Sequence, residues 1–187
     1  MNWISLGGNC SIAYQLKKHQ LRQEAYPFDW CRISFPQLIH ALQQNLKLFD
    51  HIYLHRYSEK HVSMDLTSGS YLIRNLYNIE FAHEVVKEDL LEFKECLQRR
   101  MIRFYKSTGP RTYIRLETSQ KIYSLGELRP LLDAISSDYE LIWIGVHPPR
   151  DRWEQVRYIP LEKLSEDWTY SHFNWNNIFN SFEKVES

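Results

Sequence analysis

A cysteine, a histidine and an acid are the side chains from which an enzyme assembles a thiol nucleophile, its base and the group that orients the base. This chain offers such a set in Cys10, His83 and Asp29. Cys10 closes the run Leu6-Gly7-Gly8-Asn9-Cys10, where a short apolar strand from Asn2 to Leu6 should turn into a helix. Glycines at such a turn permit positive φ and let backbone approach a ligand closely. The unpaired N–H groups and the dipole of a helix start favour negative charge, so a thiolate at Cys10 would be stabilised there. Together with Gly7, Gly8 and the Asn9 side chain, those N–H groups form a candidate oxyanion or anion site. Without covalent chemistry, the same turn reads as an anion-binding loop. With neither, Cys10 is one more small buried residue.

His83 follows an apolar run and has Glu84 beside it. Successive residues of a strand face opposite ways, so Glu84 is a poor orienter of His83. Asp29, within Tyr26-Pro27-Phe28-Asp29-Trp30, is the alternative. The plain readings are a strand-end surface histidine for His83 and a turn or capping residue for Asp29. A secondary pair, Asp167 and His172, stands late in the chain. It is the acid-then-histidine order of hydrolases whose nucleophile follows the first strand in a Gly-Asp-Ser turn, with Gly8-Asn9-Cys10 in that place. Arg115, inside the strand-like run Tyr113 to Glu117, either clamps a substrate carboxylate or phosphate or forms an ion pair with Glu117 or a neighbouring strand.

The elements that would hold these residues are read from periodicity. Cys10 or Ser11 is placed to cap a first helix with Ile12, Ala13 and Leu16 on its apolar face. Leu38, Leu42 and Leu46 predict a second helix over about Pro36 to Leu48, and Asp50 to Gly69 reads as loop with a short hairpin. Tyr71 to Phe81 alternates as one strand, with Ile73, Tyr77, Ile79 and Phe81 on one parity. Val86, Leu90, Phe93, Leu97, Met101 and Phe104 mark a long amphipathic helix ended by Gly109-Pro110. Thr112 to Glu117 and Gln155 to Ile159 read as strands, and Glu140 to Val146 as a central strand buried on both faces. Ser124-x-x-Glu127 resembles a capping box, although Pro130 shifts that helix later. Trp175, Ile178, Phe179 and Phe182 suggest a terminal helix. Such alternation predicts one α/β domain over 1–187, with a mainly parallel sheet flanked by helices.

Composition narrows the partners. The chain has 187 residues, 43% of them hydrophobic and 14% aromatic. Lys plus Arg equals Asp plus Glu at 23 each, so neither nucleic acid nor an anionic membrane is favoured as partner. Three cysteines, with no CxxC pair, argue against a disulfide framework and against zinc, and no cofactor is expected. The start, Met1-Asn2-Trp3-Ile4-Ser5-Leu6, has no basic stretch before an apolar core, so the expected compartment is the cytoplasm.

Several of these segments taken together resemble a bacterial family of unknown function described as "putative papain-like cysteine peptidases". They are Ser5-Leu6-Gly7-Gly8-Asn9-Cys10, Leu21-Arg22, Tyr26-Pro27-Phe28-Asp29-Trp30, Phe81-Ala82-His83-Glu84, a strand carrying Ile114-Arg115, and Trp175-x-x-Ile178-Phe179. The family's pattern is Ser-Leu-Gly-x-x-Cys, Pro-Phe-Asp-Trp and Phe-x-His-Asp. The resemblance implies a thiol hydrolase or peptidase acting on a peptide or acyl compound, with Cys10 as nucleophile, His83 as base and Asp29 as third polar member. It also brings in a papain-like α+β fold as the alternative architecture. Two departures stand out: Glu84 replaces the family's Asp, and positions 4–9 hold no Gln of the kind papain-like enzymes place before the cysteine, leaving Asn9 as the substitute.

Overall fold

The computed structural model describes residues 2–47, 51–56, 71–81 and 90–183. Its centre is a four-stranded parallel sheet in the order β1 (Asn2–Ser5), β6 (Arg111–Glu117), β7 (Tyr139–Gly145), β8 (Val156–Pro160). This is the α/β architecture that the alternation of elements predicts. Every residue of β6 is buried, as expected of a strand covered on both faces.

Helices α1 (Ser11–Lys18) and α5 (Trp175–Glu183) bury one face of the sheet. Trp3, Ile114, Leu116, Ile142 and Ile144 pack there with Ile12, Leu16, Ile178 and Phe179. The opposite face carries Ile4, Leu6, Tyr113, Leu141 and Trp143. It packs on α2 (Phe35–Gln43), α3 (Leu91–Lys106), α4 (Leu128–Asp133) and a second sheet. That sheet is antiparallel, in the order β2 (Cys31–Arg32), β5 (Glu80–Phe81), β4 (Tyr71–Asn75), β3 (Ile52–Arg56).

The second sheet departs from the sequence reading. Tyr71 to Phe81 is not one strand but a hairpin. The buried Asn75 side chain accepts the N–H groups of Tyr77 (3.0 Å) and Ile79 (2.9 Å), and Asn78 adopts φ 58°. The chain therefore reverses between β4 and β5, and Tyr77, on the parity of Ile73, ends 40% exposed. Likewise α2 stops at Gln43 because Asn45 and Leu46 turn left-handed (φ 49° and 59°). Leu46 still reaches the core, its N–H returning to the Ala41 carbonyl at 2.8 Å in the manner of a helix C-cap. The helix after the Ser124 pattern does start late, at Leu128. Within α3 the residues Phe93, Leu97 and Phe104 are buried as their spacing requires, whereas Val86 lies outside the described residues.

His51 and His55 stand four apart, a spacing that pairs metal ligands on a helix. Here they precede and occupy a strand, where four residues span about 13 Å. Among the described residues no helix is long and apolar enough to cross a membrane.

Candidate active site

The Gly-Gly-Asn-Cys turn lies at the carboxyl end of β1, on the side of an open parallel sheet where ligands bind in α/β proteins. Gly7 and Gly8 adopt φ 74° and 104°. Neither tolerates a side chain. A Cβ on Gly7 would lie 2.4 Å from Ile33 Cγ2, and one on Gly8 would lie 1.9 Å from the Leu116 carbonyl oxygen. The turn is thus pressed between the end of β6 and the segment after β2. Its own backbone is bonded on both sides: Leu116 N–H donates to Gly7 O and Ile33 N–H to Gly8 O, each at 3.4 Å.

Arg115 fastens this arrangement. Its guanidinium donates to the carbonyls of Leu6 (2.9 Å) and Ile33 (2.8 Å) and to the Glu117 carboxylate (2.9 Å). Both charged residues are buried. Of the two roles open to Arg115 in the sequence, the structure shows the ion pair with Glu117. The guanidinium braces the glycine turn through the Leu6 and Ile33 carbonyls.

Cys10 occupies the N-cap of α1 in helical conformation and is only 2% exposed. Neither Cys10 nor Ser11 caps the helix through its side chain, contrary to expectation. Asn9 does so: its Oδ1 accepts the Ser11 N–H at 2.9 Å and also meets the Ser11 hydroxyl. A carbonyl oxygen held in this way leaves the Asn9 amide nitrogen as the group with which Asn9 can donate. The Ser11 hydroxyl also touches the Trp168 carbonyl, Gln15 donates to the Thr169 carbonyl (2.7 Å), and Tyr14 meets Trp168 edge-on. The C-terminal segment is therefore strapped across α1.

Cys31 shares the electrostatic surroundings of Cys10. Burial pushes its thiol well up, a charge on Cys10 would push it further, and Arg115 opposes both. None of the three cysteines is in a disulfide.

Asp29 is buried and ion-paired with Arg22, whose Nη2 and Nε lie 2.8 and 2.9 Å from Oδ2. The same oxygen accepts the Tyr26 N–H at 2.8 Å, and the Arg22 guanidinium lies 5.6 Å from the centre of the Trp30 ring. Burial raises the Asp29 carboxyl above its usual range, with Arg22 as the main opposing influence. The sequence pointed to Asp29 but assigned no role to Arg22. Its signals were its place in the Leu21-Arg22 segment of the resemblance and its basic charge seven residues upstream of Asp29.

His83 and Glu84 lie outside the described residues. Asp167 and His172 are both exposed. The Asp167 carboxylate accepts from the hydroxyls and N–H groups of Thr169 and Ser171, which gives it a local role in shaping a turn. His172 rests 5.9 Å from the Tyr170 ring.

A cleft of about 440 Å³ opens beside the turn. Gly8, the start of α2 and the residues that come after β6 line it.

These features define an α/β protein whose first strand delivers a cysteine to a helix start through an obligatory glycine turn. The chain belongs to the family described as "Putative papain-like cysteine peptidase", whose model matches residues 1–139. It is also 30% identical to an uncharacterized protein, R408, of Acanthamoeba polyphaga mimivirus, over 72% of this chain and 70% of that one. The bacterial source expected from the resemblance finds no support in this viral relative. No solved structure matches the chain.

Proposed function

We propose that this protein is a thiol-dependent hydrolase of peptide or related acyl bonds, with Cys10 as nucleophile and His83 as its base. The observation that carries the reading is the placement of Cys10: on a helix N-cap, at the carboxyl end of the first parallel strand, behind two glycines that no other residue can replace. Family membership supports the same class of chemistry. In this reading the Cys10 thiolate attacks a substrate carbonyl. The resulting oxyanion is held by the Asn9 amide and by backbone N–H groups at the helix start. His83 protonates the leaving group and then activates the water that hydrolyses the thioester. Asp29 is the third polar member. Its Oδ2 is engaged by Arg22 and Tyr26, so Oδ1 is the oxygen that would orient His83. A reduced nucleophile suits the cytoplasm.

The test is the pH dependence of iodoacetamide alkylation at each cysteine, followed by mass spectrometry in wild type and His83→Ala. Cys10 is expected to react fastest, with an apparent pKa below the free value of about 8.5 that rises in the variant. Cys31 should lag, because burial raises its thiol. If Cys10 reacts no faster than Cys31 and Cys96, the proposal fails and non-covalent anion binding at the turn takes its place.

A further inference from the structure

The cleft beside Gly8 has a charge that its own architecture leaves unbalanced. Two carboxylates line it, and both are already engaged. Glu117 accepts from Arg115 through Oε2 and from the Ser119 N–H, at 3.1 Å, through Oε1. Glu80 is bonded by Arg74, which stands outside the lining, and its second oxygen lies 3.8 Å from Arg32. The cationic lining residues are Arg32, Arg115 and Lys121. Lys121 is exposed and, among the described residues, belongs to no ion pair. Its backbone N–H donates to Ser119 Oγ at 3.1 Å, which holds the stem of the side chain at the lining while the ammonium stays in solvent reach. Among the described residues both acids of the lining are thus matched by arginines, and Lys121 is the lining cation that stands outside these ion pairs.

Position gives this cation a use. The cleft sits at the carboxyl edge of β1 and β6, and its Gly8 wall is two residues from Cys10, no more than about 7 Å along the chain. A volume of about 440 Å³ suits one or two residues of a peptide rather than a large ligand. Ser34, Gln37 and Tyr123 add polar and aromatic groups to its walls, and Ile33 and Leu116 add apolar ones.

We infer that this cleft is a substrate subsite selective for an acidic side chain, with Lys121 as the specificity-determining cation. The word substrate rests on the hydrolase reading, whereas the binding itself needs only the cleft. A carboxylate entering here meets Lys121 and displaces no internal ion pair.

The experiment titrates blocked tripeptides into the full-length, isotope-labelled chain and tracks backbone amide shifts. Acetyl-Ala-Asp-Ala-amide is compared with its Asn isostere and with acetyl-Ala-Ala-Ala, whose carboxylate is terminal. The Asp peptide should shift Gly8, Ser34, Ser119 and Lys121. It should bind at least about five-fold tighter than the Asn peptide, the factor expected of one near-surface charge pair. It should also bind no more weakly than the peptide with the free terminus. Lys121→Glu should remove the preference, and Lys163→Glu, with the same charge change elsewhere on the surface, should keep it. Equal binding of the Asp and Asn peptides, a preference that survives in Lys121→Glu, or shifts confined to other residues would overturn the inference. The two readings separate cleanly. An Asp preference with a Cys10 inert to alkylation retains the subsite and removes the hydrolase, and a reactive Cys10 without the preference does the reverse.

Discussion

Strand β6 is buried on both sides and presents a different chemistry to each face of the central sheet. Towards α1 and α5, β6 presents Thr112, Ile114 and Leu116, which lie among Trp3, Ile142, Trp175 and Phe179 in an almost wholly apolar layer. Towards the antiparallel sheet the same strand presents Arg111, Tyr113, Arg115 and Glu117. Three of these four are ionisable charges in a buried strand. Each has specific partners: Arg111 bonds the Phe104 carbonyl (2.8 Å) and the Ser107 carbonyl at the end of α3, and Arg115 bonds two carbonyls and Glu117. The first face holds by area, which is forgiving of shape. The second buries a larger apolar cluster and adds pairing to it at β6, and pairing fails when one member is lost. The glycine turn and the cleft both lie on the second face.

The largest effect should come where backbone itself is the neighbour. Gly8→Ala places a methyl 1.9 Å from the Leu116 carbonyl at φ 104°. It should cost at least about 4 kcal/mol, in the range reserved for severe core defects, and lower Tm by at least about 8 °C at roughly 2–4 °C per kcal/mol for a chain of this size. Urea unfolding reads this directly, and a loss below about 1 kcal/mol would mean that the turn can move aside.

Next comes Arg115. Arg115→Met strands a buried carboxylate and two carbonyls, and the expected cost is about 3–5 kcal/mol. Ile114→Ala, the adjacent residue on the apolar face, should cost a comparable 2–5 kcal/mol or so. The faces differ in whether a second substitution can repair the first. Adding Glu117→Leu to Arg115→Met should restore a large part of the loss, because the unpaired charge is gone, whereas no second substitution of that kind repairs the Ile114 cavity. Equal non-recovery in the two backgrounds would erase the distinction.

The smallest effect is a difference of sign with pH. Asp29 has a carboxyl raised above its ordinary 3.8, chiefly by burial. Its contribution to stability is therefore present below 3.8 and is lost as pH rises through the raised value. Asp167 has a carboxyl lowered by the Ser171 and Thr169 hydroxyls and N–H groups. Its contribution is present above 3.8 and is lost as pH falls through the lowered value. Stability profiles of Asp29→Asn and Asp167→Asn between about pH 3 and 7 should deviate from wild type in opposite directions. Parallel deviations would show that Arg22 outweighs burial at Asp29.

Much of the apolar face was legible in advance, because its strands and helices announce themselves by pattern: β1 and β7 by apolar runs, α1 and α5 by spaced hydrophobes. On the paired face the helices α2 and α3 were legible in the same way, but the strands were not. Its antiparallel sheet uses two strands of two residues each, too short to carry a pattern. Its hairpin turns on the Asn75 side chain, whose hydrogen bonds override the alternation on either side. Cys10, Gly7, Gly8 and Asp29 stood out because their residue types are chemically distinctive. Arg22 and the capping role of Asn9 did not, since each depends on a partner that only folding supplies.

The match to the family model ends at residue 139, the first residue of β7. Yet β7 is the strand paired along the whole of β6, and the strap at Trp168 and Thr169 closes on α1 from still further downstream. The stretch that the family model matches is thus shorter than the stretch that must fold with it. A chimaera built by exchanging residues 1–139 between members would inherit the glycine turn with its Arg115 brace and leave β7 and the C-terminal strap behind, so donor and recipient would have to match where these meet β6 and α1 before the borrowed cysteine could stand where it does here.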